Sequence, residues 1–324
     1  MTSRELLEKF PSLRILVVGD LMLDHYIWGD VHRISPEAPV PVVQAIRETH
    51  TAGGAANVAL NLASLGVGVS ICGSFGEDEA GGKLRRLLEE KGVDAGGCLK
   101  LKELSTMVKT RVVVRTQQLC RIDREAPRSA YAIDGATGFS ELIGKLIVGC
   151  DAIILSDYAK GVVTQELIDK CFTLAAEHGK LLAVDPKPAR MLKFRGAGLM
   201  TPNRHEALEL AGLPEPSIGE KYPLEEVCRN IHAEYSPRLL VVTLGADGMV
   251  VSKNGSVIEV LPTSAREVYD VSGAGDTVIA TLTASLAAGA SAVDSAKFAN
   301  LAAGVVVSKV GTATVSPTEI HEFT

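Results

Sequence analysis

Short apolar runs alternate along most of this sequence with segments whose apolar residues recur at helical spacing. The runs predict strands at Val69–Cys72, Ala152–Leu155, Leu181–Val184, Gly198–Met200 and Leu239–Thr243. The intervening segments predict helices at Gly81–Lys91, Ser140–Ile147, Gln165–Glu177, Arg204–Leu210 and Leu224–Tyr235. This alternation predicts βαβ units, and hence an α/β fold with a mostly parallel central sheet flanked by helices on both faces.

The two ends of the chain extend the same pattern. Ser3–Phe10 has the spacing of a short amphipathic helix, and Arg14–Asp20 is an apolar run typical of a central parallel strand. Met249–Val260 predicts a hairpin that turns at Asn254-Gly255. Two Ala-rich helices are then expected, around Ala274–Ala288 and Ala292–Lys309.

Two stretches interrupt the alternation. The first holds the only tryptophan, Trp28, and then three prolines within six residues, which exclude a helix and favour edge strands. The second, Thr106–Asp123, is rich in β-branched residues with interspersed bases. We predict that segments of about 25–50 and 106–123 form a small β-sheet lid over the strand ends. With no repeat or linker, residues 1–324 are predicted to be one domain with this lid.

Composition excludes several classes of function. The formal net charge is −6 without long blocks of like charge, which argues against a nucleic-acid partner. No signal peptide is visible and no apolar stretch is long enough to span a bilayer, so we expect a cytoplasmic protein without a membrane partner. The six cysteines form no Cys-x-x-Cys pair, and the seven histidines show no His-x-x-x-His or Glu-x-x-His spacing. A zinc site, a disulfide framework and a histidine metal cluster are therefore not predicted.

The stretch Glu267–Ala280 is the strongest candidate for chemistry. Its small residues Gly273, Ala274 and Gly275 precede Asp276 and an apolar run at helical spacing. A helix start offers unpaired backbone N–H groups, and glycines there let an anion approach them. A carboxylate beside an anion site has a natural use as the general base of phosphate transfer. The alternative is a helix start whose glycines serve only tight packing.

Polar residues also follow the predicted strands. Asp20 and Asp24 come after the first strand, and a carboxylate there can accept sugar hydroxyls; for Asp20 a turn-capping role is an open alternative. Four later strands end in similar groups: Ser156–Gly161, Asp185–Lys187, Thr201–Glu206 and Thr243–Gly248. A second glycine-led helix begins at Ala52-Gly-Gly-Ala-Ala-Asn57, which could equally be a packed Gly/Ala helix.

Two of these segments resemble the signatures of the PfkB/ribokinase-like sugar kinases. Asp270-x-Ser-Gly-Ala-Gly-Asp-Thr277 is similar to the C-terminal signature, and Ala52–Asn57 to the N-terminal one. The resemblance implies that Gly273, Ala274 and Gly275 form an anion hole and that Asp276 is the catalytic base. It also implies that Gly53, Gly54 and Asn57 contact the sugar.

The same resemblance implies where ATP and metal ions bind. Asn203-Arg204-His205-Glu206 is similar to the family's Asn-x-x-Glu motif, which implies that Glu206 acts on Mg²⁺ through water. A helix capping box is the alternative and is compatible with that role. Further ATP-binding positions are implied at Thr243, Gly245 and Asn300, and a monovalent-cation site, possible for K⁺, at Asp270 and Ser272.

Within the family, the sequence is most similar to the kinases of D-glycero-D-manno-heptose 7-phosphate. Its matching segments include Val17–Asp24, Arg33–Val42, Arg115–Leu119, Ser156–Gly161 and Val310–Val315. The resemblance implies ATP-dependent phosphorylation at the anomeric C1 hydroxyl, which yields heptose 1,7-bisphosphate on the route to ADP-heptose and the lipopolysaccharide core. It implies no nucleotidyltransferase domain within this chain, so that second activity is expected elsewhere.

A substrate that already carries a phosphate needs cations at its remote end. The candidates are Arg33, Lys109, Arg111, Arg115, Lys160 and Lys187. Asp20, Asp24 and Asp157 complete the predicted sugar site. Another sugar or nucleoside kinase and a non-catalytic sugar-binding regulator are the alternative functions. Because lid strands expose edges that tend to pair, a homodimer is also expected.

Overall fold

The strands predicted from the alternation lie in one nine-stranded sheet. In this computed structural model, residues 1–115, 117–188, 192–217 and 219–323 are described. The large-sheet strands are β1 (Arg14–Gly19), β4 (Gly68–Gly76), β5 (Asp94–Leu101), β8 (Ala152–Ser156), β9 (Leu181–Asp185), β10 (Leu199–Met200), β11 (Leu240–Thr243), β12 (Met249–Lys253) and β13 (Ser256–Leu261). Their order is β13-β12-β11-β10-β9-β8-β1-β4-β5. Pairing is parallel from β5 to β11, and only the hairpin end is antiparallel.

Ten helices of the described residues accompany this sheet. They are α1 (Ser3–Lys9), α2 (Ala55–Ser64), α3 (Glu79–Glu89), α4 (Phe139–Gly149), α5 (Gln165–Glu177), α6 (Arg204–Ala211), α7 (Leu224–Tyr235), α8 (Ala274–Ala287), α9 (Ala292–Val306) and α10 (Pro317–Phe323). Within the described part of the chain, no helix has the length and apolar character that crossing a membrane requires.

Two apolar cores cover the two faces of the large sheet. Along β1, Ile15 and Val17 belong to the core formed with α1, α2, α3, α8, α9 and α10. Leu16 and Val18 point the other way, into the core formed with α4 to α7. Burial on both faces explains why β1 is a continuous apolar run. The predicted α/β fold with helices on both faces is confirmed.

A second, four-stranded sheet holds the two stretches that interrupt the alternation. This small sheet consists of β2 (Leu21–Ile34), β3 (Pro41–Gly54), β6 (Val108–Val114) and β7 (Gln117–Arg124), in the order β3-β2-β6-β7. β2 pairs antiparallel with β3 and parallel with β6. Asp24, at one end of β2, therefore lies between Thr51 of β3 and Lys109 of β6. This end adjoins the large sheet, because β2 follows β1 after one residue.

Several boundaries differ from the sequence prediction. The first hairpin of the small sheet, β2 and β3, begins at Leu21 and ends at Gly54, so it reaches the glycine-led helix α2 directly. The strand β5 was missed because its glycines weaken the apolar pattern; a Cβ on Gly97 would lie 2.4 Å from the Cys72 sulfur. The last long helix ends at Val306 rather than Lys309. Thr116, inside the second predicted lid segment, lies outside the described residues.

The predicted hairpin between β12 and β13 is confirmed. Asn254 and Gly255 both have positive φ values, 54° and 78°, as a two-residue turn of this hand requires. The strand prediction for the proline-rich run is wrong for residues 35–40, which form the turn between β2 and β3, and right for Pro41 to Val43, which begin β3.

Candidate active site

The start of α8 places a carboxylate at the end of the large sheet. Gly273 caps the helix with φ 81°, in the left-handed region that favours glycine. A Cβ there would also lie 2.7 Å from the amide nitrogen of Asn57. Asp276 follows in the first helical turn and is only 3% exposed.

Two side chains hold this carboxylate. The Tyr158 hydroxyl donates to Oδ1 of Asp276, and Nδ2 of Asn57 donates to Oδ2 at 2.7 Å. Asn57 is fixed in turn by Asn61, whose side-chain amide donates to the Asn57 carbonyl oxygen at 2.9 Å. Burial raises the pKa of Asp276 from its ordinary 3.8 to about 6, although both hydrogen bonds oppose that rise. A carboxylate with this pKa is mostly ionised at neutral pH and can accept a proton.

Asp24 reaches the same region from the small sheet. It is 3% exposed, and Nη1 of Arg111 donates to its Oδ1 at 2.5 Å. A Cβ on Gly53 would lie 2.5 Å from the other carboxylate oxygen, so this glycine makes room for Asp24. The next residue, Gly54, caps α2 with φ 61°.

Lys109 lies between Asp24 and Tyr158. It is paired with Asp24 in the strand register, and its Nζ lies 5.7 Å from the centre of the Tyr158 ring. Burial lowers the pKa of this lysine, and the charge of Asp24 opposes that effect. Asp24, Asn57, Lys109 and Asp276 are thus brought together from four elements, β2, α2, β6 and α8.

Asp20, by contrast, is fully occupied by the backbone. Its Oδ2 accepts the amides of Tyr158 and Lys160 at 2.9 and 3.0 Å, and its Oδ1 accepts the amide of Val162 at 2.9 Å. The side chain is completely buried. The structure therefore assigns Asp20 a structural role, the alternative left open by the sequence, and corrects its prediction as a sugar ligand.

An acidic pocket of about 220 Å³ adjoins Asp276. Its lining includes Asp157, Tyr158, Asp185, Lys187, Asn203, Glu206, Thr243, Gly273, Gly275 and Asp276. Burial raises the pKa of Asp185 well above the ordinary range, and the neighbouring charges of Glu206 and Asp276 raise it further. Crowded carboxylates of this kind fit a hard divalent cation such as Mg²⁺, which prefers oxygen ligands.

Glu206 has two partners at this pocket. Its Oε2 accepts the amide of Asn203 at 3.0 Å and completes a capping box at the start of α6. Its Oε1 accepts Nζ of Lys187 at 2.7 Å. Lys187, predicted to bind the remote phosphate of the sugar, therefore lies at the acidic pocket instead, because the turn after β9 directs it towards α6.

An apolar cleft of about 320 Å³ continues from the acidic pocket, with which it shares Thr243 and Gly275. Its lining includes Gly245, Met249, Val271, Ala274, Val278, Asn300 and Gly304. The Asn300 side-chain amide donates to the carbonyl oxygen of Pro262 at 2.7 Å, which fixes α9 against this wall. The predicted ATP-binding positions Thr243, Gly245 and Asn300 are thus brought together.

Gly275 lies where the pocket and the cleft meet. A Cβ there would meet no atom within 4 Å, so neither packing nor a positive φ requires this glycine. The space beside the first turn of α8 is open to a ligand, and the helix start favours an anion. The amide of Ala274, in contrast, already donates to the carbonyl oxygen of Val271 at 3.2 Å. The predicted anion hole thus lacks that donor in this conformation.

Several predicted site residues lie elsewhere. Arg33 and Arg115 are exposed at the far end of the small sheet. Arg33 lies about 30 Å from Asp24 along β2. The Arg115 guanidinium lies 3.9 Å from an Asp30 carboxylate oxygen. Within one chain these two arginines do not reach the site, because the strands that carry them run away from it.

Three further predicted residues have partners outside the pocket. Lys160 pairs with Glu125 beside the small sheet. Arg204 pairs with Asp247 at 2.8 Å on the rim of the apolar cleft, and His205 pairs with Glu215 on the surface. Asp157 lines the acidic pocket, and its Oδ1 accepts the amide of Ala159 at 2.8 Å.

Asp270 connects the segment before α8 to the loop after α9. Its Oδ1 accepts the amide of Ser272 at 2.9 Å, and its Oδ2 accepts the amide of Gly311 at 3.0 Å. These bonds bring Asp270 and Ser272 close together, and the monovalent-cation site at these residues stays a prediction.

Sequence reasoning missed three residues of the site. Tyr158 follows β8 and Asp185 is the last residue of β9; both lie in segments already noted for polar strand ends, but neither was selected. Thr312 donates to Asp24 at 3.4 Å and contacts Thr51 at 2.6 Å, which no local pattern indicated. Position after a buried strand was the signal that could have identified the first two.

Comparison with known proteins agrees with this geometry. Residues 12–319 match the family described as pfkB family carbohydrate kinase. The chain is 42% identical over 310 residues to the bifunctional protein HldE of Sulfurimonas denitrificans, and 45% identical over 315 residues to that of Magnetococcus marinus. Each alignment covers 96% of this chain and 64% of the relative, so the chain spans less than two thirds of their length.

The fold has a match among solved structures. Ribokinase of Arabidopsis thaliana, complexed with ribose and ATP, superposes with a TM-score of 0.76 at 18% identity, covering 96% of this chain and 98% of that one. The chain therefore belongs to the pfkB family of carbohydrate kinases. It is an enzyme of the sugar-kinase class with the ribokinase-like fold.

Proposed function

We propose that this kinase transfers the γ-phosphoryl group of ATP to the anomeric C1 hydroxyl of D-glycero-D-manno-heptose 7-phosphate. The observation that carries the proposal is the Asp276 carboxylate, buried at the start of α8, with a pKa of about 6, beside both the acidic pocket and Asp24. Identity of 42–45% to proteins named HldE, together with the Arg33–Val42 run, supports the choice of a heptose phosphate.

In the proposed reaction, Asp276 accepts the proton of the C1 hydroxyl as its oxygen bonds to the γ-phosphorus. The bond from that phosphorus to the bridging oxygen breaks, and ADP leaves with the electron pair. Tyr158 and Asn57 keep the carboxylate oriented throughout. The first turn of α8 at Gly275 offers backbone N–H groups to the transferring phosphoryl group.

Mg²⁺, when bound, would neutralise phosphate charge in the acidic pocket. Glu206, through water, and Asp185 are the residues placed to hold it. Lys187 bridges to Glu206 and adds a positive charge there. We also propose Asp270 and Ser272 as a site for a monovalent cation such as K⁺.

The sugar is proposed to bind at the end of the small sheet that adjoins α8. Asp24 is placed to accept sugar hydroxyls, with Arg111 holding its other oxygen. Lys109 of the small sheet lies beside the Tyr158 ring, and we propose it as the first cation that the substrate phosphate meets. A closing movement of the small sheet would exclude water from this site.

A homodimer through the small sheets is a further part of the proposal. Ile46 and Ile122 expose 71% and 58% of their surface on this sheet, and β3 and β7 are its two edges. Pairing would cover apolar surface and sheet edges together. Light scattering at increasing concentration tests it: a monomer at all concentrations contradicts the dimer. We place the enzyme in the cytoplasm, where ATP is available.

A substrate panel tests the proposed specificity. ATP turnover is measured with heptose 7-phosphate as both anomers, with ribose, with fructose 6-phosphate and with adenosine. We expect kcat/KM to be highest for one heptose 7-phosphate anomer. If another sugar gives the highest value, the chain is a kinase of a different substrate. If no acceptor raises turnover above the rate with ATP alone, the catalytic assignment fails.

A further inference from the structure

Three potential metal ligands meet on the small sheet, outside the proposed active site. His25 on β2 is directly opposite His50 on β3, and Glu48 is opposite Ile27, two residues further along. Because side chains two residues apart share a face of a strand, all three lie on one face. Asp24 precedes His25 and therefore points to the other face, towards Lys109 and Asp276.

The geometry of these three side chains is close to that of a metal site. Nε2 of His25 lies 2.9 Å from a Glu48 oxygen, and the two imidazole rings stack with centroids 4.4 Å apart. One ligand atom of each residue lies within 4.8 Å of the other two. Ligands around a tetrahedral Zn²⁺ are about 3.4 Å apart, given bond lengths near 2.1 Å. Because the two rings stack in parallel, with 3° between their planes, they must rotate to direct a nitrogen of each at one ion.

The surroundings leave room for an ion and for a water molecule. The cluster opens into a cavity of about 250 Å³. Its lining includes Leu23, His25, Glu48, His50, Glu79, Lys83, Val108, Thr110, Ile122 and Arg124. Lys83 forms an ion pair with Glu79 at 2.9 Å, which reduces its effect on an incoming cation. Arg124 is the remaining cation of the lining, so the two cations and two carboxylates of the lining leave no net formal charge against an incoming ion.

The His25 ring is also oriented by a second contact. Its Nδ1 lies 3.3 Å from the hydroxyl of Thr110 on β6. Metal-bound histidines typically use their other nitrogen in this way, which fixes the ring plane.

We propose that His25, Glu48 and His50 form a site for a borderline-soft divalent ion such as Zn²⁺, with water as a fourth ligand. Two imidazoles and one carboxylate suit Zn²⁺ or Ni²⁺, whereas Mg²⁺ prefers oxygen alone. The site is thus chemically distinct from the acidic pocket. Sequence spacing did not predict a histidine cluster, because its members are joined by strand pairing across 25 residues rather than by a helical turn.

The experiment measures Co²⁺ and Zn²⁺ binding to the full chain after treatment with a chelator. Excess Mg²⁺ is present to occupy the acidic pocket. Titration calorimetry gives stoichiometry and affinity, and the visible spectrum of Co²⁺ reports a low-coordinate site. We expect one ion per chain, with binding weakened at least tenfold to a hundredfold in His50→Gln and in Glu48→Gln.

Two control variants separate this site from other ligands. His32→Gln removes an exposed histidine of the same strand, and Cys120→Ser removes the exposed thiol of β7. Both should bind the ion like the wild type. Equal binding by wild type, His50→Gln and Glu48→Gln overturns the proposal, and so does loss of binding in either control. Should His50→Gln fail to fold, the exposed Glu48→Gln decides alone.

Discussion

The β1–β2 junction and the start of α8 each bury a carboxylate at the end of the large sheet, but with different donors. Asp20 accepts three backbone amides. Asp276 accepts two side-chain donors, Tyr158 and Asn57, and burial raises its pKa to about 6. A carboxylate that accepts hydrogen bonds from backbone amides holds the loop that carries those amides in place. At Asp276 the two side-chain donors do not offset the effect of burial, so its pKa of about 6 leaves the carboxylate available as a proton acceptor near neutral pH.

The strongest test of this contrast is Asp276→Asn. We expect kcat to fall by roughly 10²–10⁴-fold, the usual contribution of a positioned general base. Wild-type kcat/KM should also fall about tenfold for each pH unit below the Asp276 pKa of about 6, as the carboxylate is protonated. Turnover assays of the variant and a pH–rate profile of the wild type check these two expectations. ATP binding by the variant, measured by fluorescence, should be unchanged. Near-normal turnover would remove Asp276 as the base.

The same variant has an opposite effect on stability. Because the folded-state pKa is raised, the protonated carboxyl favours folding below pH 4, and this contribution is lost as pH rises to 6. The rise from 3.8 to about 6 corresponds to about 3 kcal/mol. Urea unfolding should therefore show Asp276→Asn gaining up to this amount relative to wild type between pH 4 and pH 7. A constant difference across this range would contradict the buried-charge account.

Gly275→Ala and Gly273→Ala form a matched pair at the start of α8. Alanine at 275 meets no protein atom, so we expect normal stability but a loss of roughly 10- to 100-fold in kcat/KM for ATP, since it obstructs an anion donor. Alanine at 273 has a strained φ and would collide with Asn57, which should cost about 1–3 kcal/mol of stability as well. Unfolding curves and kinetics separate the two; full activity in Gly275→Ala would place the phosphate elsewhere.

Tyr158→Phe removes one hydrogen-bond donor from Asp276 and keeps the aromatic ring, so no cavity is left. The hydroxyl lowers the pKa of Asp276, so its loss should move the acidic limb of the pH–rate profile to higher pH. At pH 7 the rate should fall roughly tenfold, consistent with about 1.5–3 kcal/mol for a hydrogen bond to a charged group. Tyr235→Phe, on α7 and away from the site, is the control. An unshifted profile would mean that Tyr158 does not tune the base.

Asp20→Asn should give the smallest catalytic effect and a clear structural one. One amide of the three would face the new NH₂ group, which costs about 2–3 kcal/mol. Turnover per folded molecule should stay within about threefold of wild type, a barrier change of about 0.7 kcal/mol or less, because Asp20 bonds to backbone amides and not to Asp276. Loss of turnover with unchanged stability would contradict the structural role and indicate that Asp20 binds the sugar.

Most of the large sheet was predictable because its strands, apart from β5, appear in the sequence as local apolar runs. β1, β8 and β9 are apolar runs of five or six residues, and the run alone indicates burial on both faces. The Gly-Ala-Gly-Asp segment was recognisable for a similar reason, since a helix start and its carboxylate are adjacent in sequence. The small sheet was foreseen as two β-rich stretches, but not its register, because β2 pairs with β6 across about eighty residues of chain.

The roles of individual carboxylates were beyond local reasoning. Asp20 and Asp24 lie four residues apart, and both follow the same strand. What separates them is the set of amides after β8, 138 to 142 residues further on, that reaches only Asp20. The bond between Asn57 and Asp276 likewise joins residues 219 apart. Lys187 and Arg33 were misplaced because sequence gives the charge of a side chain but not the direction of its strand.

The length of β2 has a mechanical consequence. Of its 14 residues, the ten that follow Asp24 run about 33 Å to the turn at residues 35–40. A swing of ten degrees about Asp24 displaces the tip by about 6 Å, by the geometry of a strand of that length. A fluorescent label on the exposed tip would therefore report a small rotation of the sheet at the substrate as a larger displacement, measured at a distance from the active site.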